Sequence, residues 1–328
     1  MAQFDIPNPA NFCGGAYQDW LEVMLTEQCN GRCSWCVEKY GWHPQNHVTW
    51  QILLQMILNE PATNIILLGG EPTLFNDLGN LITELSKKQR KVYITTNGSR
   101  LNPYFAEECL ANLYGINISI HDYNLLHNNI ITGINLDNDW LKDTITFFHT
   151  KNIQIRFNCN LIRGYIDSET QLLNYIDFAT RMGATSVRFA ELKFDEAEFV
   201  DLAKICNWKW GLNEDPYHCG CHKETIINGM KISFRQMCGA QTPLRPFPAN
   251  PLQYKKRVLY YDGKIYNGWQ LKTNGGEHNT EIEELLKKVK DGSLSIEKAM
   301  EIITAKEKEK MDYRDKIEKS SSQGGCIY

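Results

Sequence analysis

The chain has 328 residues, 42% of them hydrophobic, and carries a formal net charge of −4 with an isoelectric point near 6.1. That size supports one large domain or two domains with a substantial core. The mildly acidic balance offers no electrostatic basis for a nucleic-acid surface, and no apolar run reaches the roughly 18 residues that a membrane span needs. Because the first residues also lack a secretory signal pattern, we predict a cytoplasmic protein.

Residues 20–204 alternate between strand-like and helix-like segments. Apolar or β-branched runs of strand length predict six strands, at Trp20–Thr26, Asn64–Gly69, Lys91–Thr96, Gly115–Ile120, Ile153–Asn160 and Ser186–Ala190. Helices are predicted between them at Trp50–Asn59 (with Thr49 as its N-cap), Asn76–Lys88, Asp139–Thr150 and Glu169–Met182. Repeated β-α units imply an α/β fold with a parallel sheet and helices outside it.

This alternation stops after about residue 204. Residues 257–270 predict a hairpin, because Asp262-Gly263 between two apolar runs is a strong signal for a two-residue turn. Residues 279–319 are charged and helix-forming, which predicts a pair of solvated amphipathic helices. The last residues, 320–328, are flexible by composition.

A run of three cysteines, Cys29-x3-Cys33-x2-Cys36, directly follows the first predicted strand. The chain has 11 cysteines, and metal sites explain them better than disulfides, which are disfavoured in the cytoplasm. Three thiolates can hold a [4Fe–4S] cluster with one iron open to a further ligand. The alternative is a zinc knuckle, in which His43 or His47 would supply the fourth ligand.

A second motif, Gly69-Gly70-Glu71-Pro72, follows the second predicted strand. Its glycines would let a ligand approach the backbone closely. With the cysteine run and this motif in order at successive strand ends, the chain resembles the radical S-adenosylmethionine (SAM) enzymes. The resemblance implies a partial (β/α)6 TIM barrel with a C-terminal auxiliary-cluster extension. It also implies a [4Fe–4S] cluster on the three cysteines, and reductive cleavage of SAM to a 5′-deoxyadenosyl radical that abstracts hydrogen from a substrate.

The resemblance also suggests which residues contact SAM. Trp35 would lie near the adenine, and the loop of Gly69, Gly70 and Glu71 would meet the amino group. Further cofactor-binding candidates at the ends of later strands are Asn97, Ser119, Asn158 and Arg188. His121 is a candidate catalytic acid or base at the barrel mouth, and a structural hydrogen-bonding histidine is the alternative.

A second cysteine group lies beyond the predicted barrel and comprises Cys219, Cys221, Cys238 and, as a candidate fourth ligand, Cys206. Many radical SAM enzymes carry auxiliary clusters in a SPASM or twitch extension, and the molybdenum-cofactor cyclases bind one through a C-x2-C…C pattern. The pair here is C-x-C, so we predict a variant auxiliary iron–sulfur cluster. A zinc site completed by His218 or His222 is the alternative.

The C-terminal Gly324-Gly325 pair resembles a tail that enters the active site of those cyclases. If the tail inserts, Cys326 would serve as a catalytic hydrogen donor or a cluster ligand, since a thiol is a soft ligand. A disordered tail is the alternative.

These patterns divide the chain into four predicted parts. They are an N-terminal extension (1–19), a radical SAM partial barrel (20–204), an auxiliary-cluster region (205–275), and charged helices with a flexible tail (276–328). The predicted substrate is a small molecule or nucleotide, and the predicted reducing partner is a protein such as flavodoxin or ferredoxin. The alternatives are maturation of a ribosomally made peptide and, outside the enzymes, a zinc-binding interaction module.

Overall fold

The computed structural model describes residues 19–193, 195–206, 222–237, 257–267 and 269. Several predictions fall outside these ranges. They concern most of the N-terminal extension, three ligands of the second cysteine group, the charged helices, and the tail with Cys326.

Within the described ranges, ten strands form the framework of the fold. They are β1 (Trp20–Met24), β2 (Asn64–Leu68), β3 (Lys91–Thr96), β4 (Gly115–Ser119), β5 (Gln154–Asn160), β6 (Ser186–Ala190), β7 (His222–Ile227), β8 (Met230–Arg235), β9 (Arg257–Leu259) and β10 (Ile265–Asn267). The helices are α1 (Trp50–Asn59), α2 (Leu78–Lys87), α3 (Pro103–Phe105, continued by a π-helical turn over Ala106–Leu110), α4 (Leu125–Thr132), α5 (Asn138–Thr150), α6 (Glu169–Met182) and α7 (Leu202–Cys206).

All ten strands belong to one sheet with the order β10-β9-β1-β2-β3-β4-β5-β6-β8-β7. Strands β1 to β6 pair in parallel in chain order, as β-α repeats dictate. Two hairpins extend this unit, with β9 parallel to β1 and β8 parallel to β6. The architecture confirms the predicted α/β partial barrel and adds a hairpin at each end of it.

The core lies between the sheet and the helices that cover it. One face of each strand from β1 to β6 contributes fully buried apolar residues such as Val23, Leu67 and Phe157. Helix α2 shows how the helices match this face, because its buried residues recur with the period of one helical stripe, at Leu78, Leu81, Ile82 and Leu85. The alternate strand residues face the other way, as side chains in a strand must.

The hairpin of β9 and β10 has a longer turn than predicted. Tyr260 N–H donates to Lys264 O at 3.0 Å, and Gly263 N–H donates to Tyr260 O at 2.9 Å. Three residues therefore form the loop, and Gly263 takes the left-handed position with φ 79°. This is the geometry of a type I turn followed by a glycine bulge.

Thr49 precedes α1 as predicted, but its side chain makes no capping hydrogen bond. Within the part of the chain that the structure describes, no helix is long and apolar enough to cross a membrane.

Candidate functional site

A cavity of about 370 Å³ opens at the carboxyl ends of the parallel strands, within the usual size range of small-molecule sites. All of the predicted site residues in the barrel lie on its wall, namely Cys29, Cys33, Trp35, Cys36, Gly69, Gly70, Glu71, Asn97, Ser119, His121, Asn158 and Arg188. The sequence thus predicted which residues meet at this place. Their individual roles remain predictions.

The cysteine loop is held from two sides. On one side, Arg32 N–H donates to the carbonyl of Thr132, at the end of α4, at 2.7 Å. On the other side, Ser34 Oγ donates to the carboxylate of Glu198 at 2.8 Å. Neighbouring elements of the barrel therefore fix the course of this loop.

The three thiols are neighbours that influence one another electrostatically. Burial, followed by the charges of Cys36 and Cys29, raises the pKa of Cys33 to about 12. Burial also raises the pKa values of Cys29 and Cys36. The thiols are therefore protonated at neutral pH unless bound metal draws them into the thiolate form.

The three thiols of the cysteine loop line one cavity. The histidines considered as zinc ligands have other contacts. His43 Nε2 lies 3.7 Å from Glu38 Oε2, and the ring of His47 stacks on Tyr261 at 4.4 Å.

The two glycines of the Gly-Gly-Glu-Pro motif allow protein backbones to meet; the close approach of a ligand stays a prediction. A Cβ on Gly70 would lie 2.3 Å from Gln28 O and 2.5 Å from Glu27 O. A Cβ on Gly69 would lie 2.5 Å from Thr26 O. The glycines thus seat the loop after β2 against the segment that leads into the cysteine loop.

Glu71 is buried beneath that contact. Its Oε1 accepts hydrogen bonds from the N–H and hydroxyl of Thr73 and from the hydroxyl of Thr96, at 3.0, 2.5 and 2.6 Å. Its Oε2 accepts the N–H of Asn97 at 2.7 Å. Burial raises the pKa of Glu71 above its usual value, and these hydrogen bonds offset only part of that rise. The carboxylate therefore ties the loop after β2 to the loop after β3.

Trp35 lies in a small apolar cluster at the edge of the cavity. It packs with Ile162 and Leu192, and Tyr165 and Phe199 pack against that group. The edge of the indole meets the ring of His121 at 5.3 Å and 85°. An apolar wall of this kind suits a flat ring such as adenine.

His121 is held in one tautomer. Its Nδ1 accepts the N–H of Asn160 at 3.0 Å, so the ring proton sits on Nε2. Burial lowers the pKa of His121 to about 4. The imidazole is therefore neutral near pH 7, where it offers a hydrogen-bond donor and not a proton acceptor.

Three arginines line the cavity, and sequence reasoning singled out only Arg188. Arg156 and Arg235 join it from β5 and β8. Arg156 is buried, and its Nε donates to Asn158 Oδ1 at 3.1 Å. Burial, followed by the charge of Arg188, lowers the pKa of Arg156 well below its usual value. Arg156 and Asn158 are two positions apart and therefore lie on the same face of β5. Because side chains alternate along a strand, the predicted site residue Asn158 could have pointed to Arg156 in the sequence.

Comparison with protein families identifies the kind of domain that contains this cavity. Residues 23–176 match the model of the Radical SAM superfamily. These residues are a radical SAM domain. Enzymes of that superfamily use a [4Fe–4S] cluster and SAM in radical chemistry, which confirms the predicted enzyme class and these two cofactors in preference to the zinc-binding interaction module.

Relatives of known name support this assignment. A GTP 3′,8-cyclase of Aquifex aeolicus (strain VF5) is 23% identical over 255 residues, which cover 75% of this chain and 72% of the relative. A GTP 3′,8-cyclase of Campylobacter curvus (strain 525.92) is 28% identical over 188 residues, covering 54% of this chain and 56% of the relative. The matched region therefore spans little more than half of the second relative.

Solved structures support the fold. The crystal structure of Streptococcus suis SuiB bound to SAM superposes with a TM-score of 0.54 at 16% identity, covering 76% of this chain and 58% of SuiB. SuiB bound to its precursor peptide SuiA gives a TM-score of 0.52. At this identity the likeness concerns the fold alone.

Cys206 does not reach the cavity of the radical SAM barrel. It closes α7, is fully buried in the main core, and has a pKa raised to about 12, chiefly by burial. Since Cys219, Cys221 and Cys238 lie outside the described residues, the place of Cys206 in a second cluster stays a prediction.

The buried His121 makes the stability of the barrel sensitive to acid. Its pKa is about 4 when folded against 6.5 as a free side chain, so the unfolded chain binds more protons between these values. His121 therefore makes its full contribution to the free energy of unfolding above about pH 6.5. That contribution, about 3 kcal/mol, is lost as the pH falls from about 6.5 through about 4.

The matched variant for this prediction is His121→Asn, whose Oδ1 can still accept the N–H of Asn160. Urea unfolding of cluster-free protein, measured between about pH 7 and about pH 4.5, should show a shallower loss of stability in the variant. Parallel losses in both proteins would contradict the prediction.

Proposed function

We propose that this protein binds a [4Fe–4S] cluster through Cys29, Cys33 and Cys36, cleaves SAM, and acts on an anionic small molecule or nucleotide inside the barrel. The observation that carries the proposal is the shared cavity. The three thiols line the same cavity as Arg156, Arg188 and Arg235. When bound, the cluster supplies the electron that splits SAM into methionine and a radical able to take hydrogen from the substrate.

Different residues around the cavity would bind different parts of SAM. The apolar wall at Trp35 would hold the adenine, since Ile162 and Leu192 keep the indole in place. Ser119 and Asn158 face each other across the register of β4 and β5, where their polar groups would position the ribose or the amino-acid part. His121 would donate a hydrogen bond from Nε2.

The arginines define the class of substrate. Arg156, Arg188 and Arg235 bring three guanidinium groups to one cavity, and Arg156 among them is buried. Planar guanidinium groups bind phosphate and carboxylate oxygens in pairs. GTP is the first nucleotide to test, because relatives of this chain carry the name GTP 3′,8-cyclase.

Peptide maturation is the competing function, because SuiB, which has a similar fold, has been solved bound to its precursor peptide SuiA. The three arginines on the cavity wall favour a compact anion over an extended peptide. A reducing protein such as flavodoxin or ferredoxin would supply the electron. An auxiliary iron–sulfur cluster at Cys219, Cys221 and Cys238, and a role for Cys326, complete the proposal.

The experiment is anaerobic reconstitution with iron and sulfide, followed by reduction with dithionite in the presence of SAM. Formation of 5′-deoxyadenosine with near-stoichiometric iron at the first site supports the proposal. Protein that holds this cluster yet forms no 5′-deoxyadenosine, with or without candidate nucleotides, would refute it.

Arg156→Met tests the substrate class. Loss of a charge-assisted contact should weaken GTP binding, measured by calorimetry, by about tenfold to a hundredfold. The same variant should melt at a higher temperature without ligand, since it removes a buried charge. Arg181→Met is the matched control, because Arg181 is exposed on α6 and pairs with Asp177. Equal GTP affinity in all three proteins would contradict the prediction.

A further inference from the structure

A polar network joins the cysteine loop to the loop after β3. Asn97 Nδ2 donates to Asn30 Oδ1 at 2.9 Å, and Asn30 Nδ2 donates to Ser99 Oγ at 2.9 Å. Ser99 N–H donates back to Asn97 Oδ1, also at 2.9 Å. We call this set the Asn30–Asn97–Ser99 network.

The network fixes which way the Asn97 amide points. Its oxygen is engaged by the Ser99 N–H, and its nitrogen faces the Asn30 oxygen. A flipped amide would set two oxygens against each other and break both bonds. The backbone is fixed as well, because Asn97 N–H donates to Glu71 Oε2 at 2.7 Å.

The same nitrogen also faces a sulfur. Asn97 Nδ2 lies 3.9 Å from Cys29 Sγ, and the backbone N–H of Gly31 donates to that sulfur at 3.3 Å. Cys29 Sγ is thus met by two N–H donors, one from its own loop and one from a neighbouring strand end.

We propose that Asn97 is a positioning residue for the cluster and sets its reduction potential through an N–H···S hydrogen bond to Cys29. This inference rests on the proposed function, in that Cys29 must be a cluster ligand; the SAM contact predicted for Asn97 stays a prediction. Reduction adds negative charge to the cluster and its sulfurs. A donor aimed at a ligand sulfur stabilises that charge and so makes the cluster easier to reduce.

The test compares wild type with Asn97→Ala and Asn97→Asp. Anaerobic redox titration, followed by the EPR signal that changes when SAM is added, isolates the cluster at Cys29. We expect the equilibrium constant for reduction to fall about threefold to tenfold in Asn97→Ala. It should fall further in Asn97→Asp, where a carboxylate replaces the donor with a negative charge.

Asn30→Ala is the control that separates tuning from architecture. It removes a partner from the network, but Ser99 still fixes the Asn97 amide and the donor still faces Cys29. Its equilibrium constant should stay within about twofold of wild type. Equal shifts in Asn30→Ala and Asn97→Ala, no shift in either Asn97 variant, or variants that hold no cluster would overturn the proposal. A wild type that assembles no SAM-responsive cluster would instead refute the proposed function.

Discussion

Replacing Cys29, Cys33 and Cys36 together by alanine is expected to reduce SAM cleavage to the buffer background. These thiols lie on the cavity wall, and an iron–sulfur cluster without its thiolate ligands is not retained. The measurement is 5′-deoxyadenosine formed under dithionite, with circular dichroism to show that the fold persists. Cys109→Ala is the control, because Cys109 lies outside the cavity wall.

The same triple variant reports on the second cysteine group. Iron that remains bound is expected at Cys219, Cys221 and Cys238, and EPR or Mössbauer spectra would identify the cluster type. Stoichiometric zinc without iron would show that the second site is structural. SAM cleavage that survives in the triple variant would contradict the assignment of the first site.

Gly70→Ala is expected to disrupt the barrel mouth although it adds a single methyl group. The new Cβ would lie 2.3 Å from Gln28 O and 2.5 Å from Glu27 O, and neither backbone carbonyl can move without moving the cysteine loop. The cost is about 3 kcal/mol or more in the free energy of unfolding, with loss of the cluster. Chemical denaturation and iron analysis measure the two effects.

Gly31→Ala is the matched control in the same region. Its Cβ would meet Cys29 Sγ and Thr132 O at 3.5 Å, an ordinary contact distance. We expect its stability to change by less than about 1 kcal/mol. Similar losses in the two variants would show that the close approach at Gly70 is not what holds the loops together.

The sequence predicted the six barrel strands and most helices because their apolar residues follow the periods of strand and helix. Strand β3 and helices α1 and α6 have the predicted bounds. Helix α4 was missed for a physical reason. Its buried residues are the polar Asn128 and Thr132, while Leu126 and Ile130 are 72% and 73% exposed. Hydrogen bonds to the barrel position this helix, and an apolar pattern does not reveal them.

The sequence predicted the site residues that belong to short motifs. It did not predict the residues that segments distant in sequence bring to the cavity. The cysteine run and the Gly-Gly-Glu-Pro motif mark their loops by spacing. Arg235 comes from a strand that no local pattern had marked. Trp269, which lines the cavity and donates from Nε1 to Glu22 Oε2 at 2.6 Å, follows a hairpin whose docking on β1 is a tertiary event.

That docking also has a consequence for the order in which the protein is made. Glu22 and Val23 find their strand partners in Val258 and Leu259, close to the far end of the described chain. During synthesis, one edge of β1 therefore stays unpaired until β9 has been translated, after strands β2 to β6. The chain between β1 and β9 is long, and pairing strands so far apart in sequence is slow. The cysteine loop directly follows β1. The strand that supports the metal site is therefore the first barrel strand to be translated and among the last to gain both of its neighbouring strands.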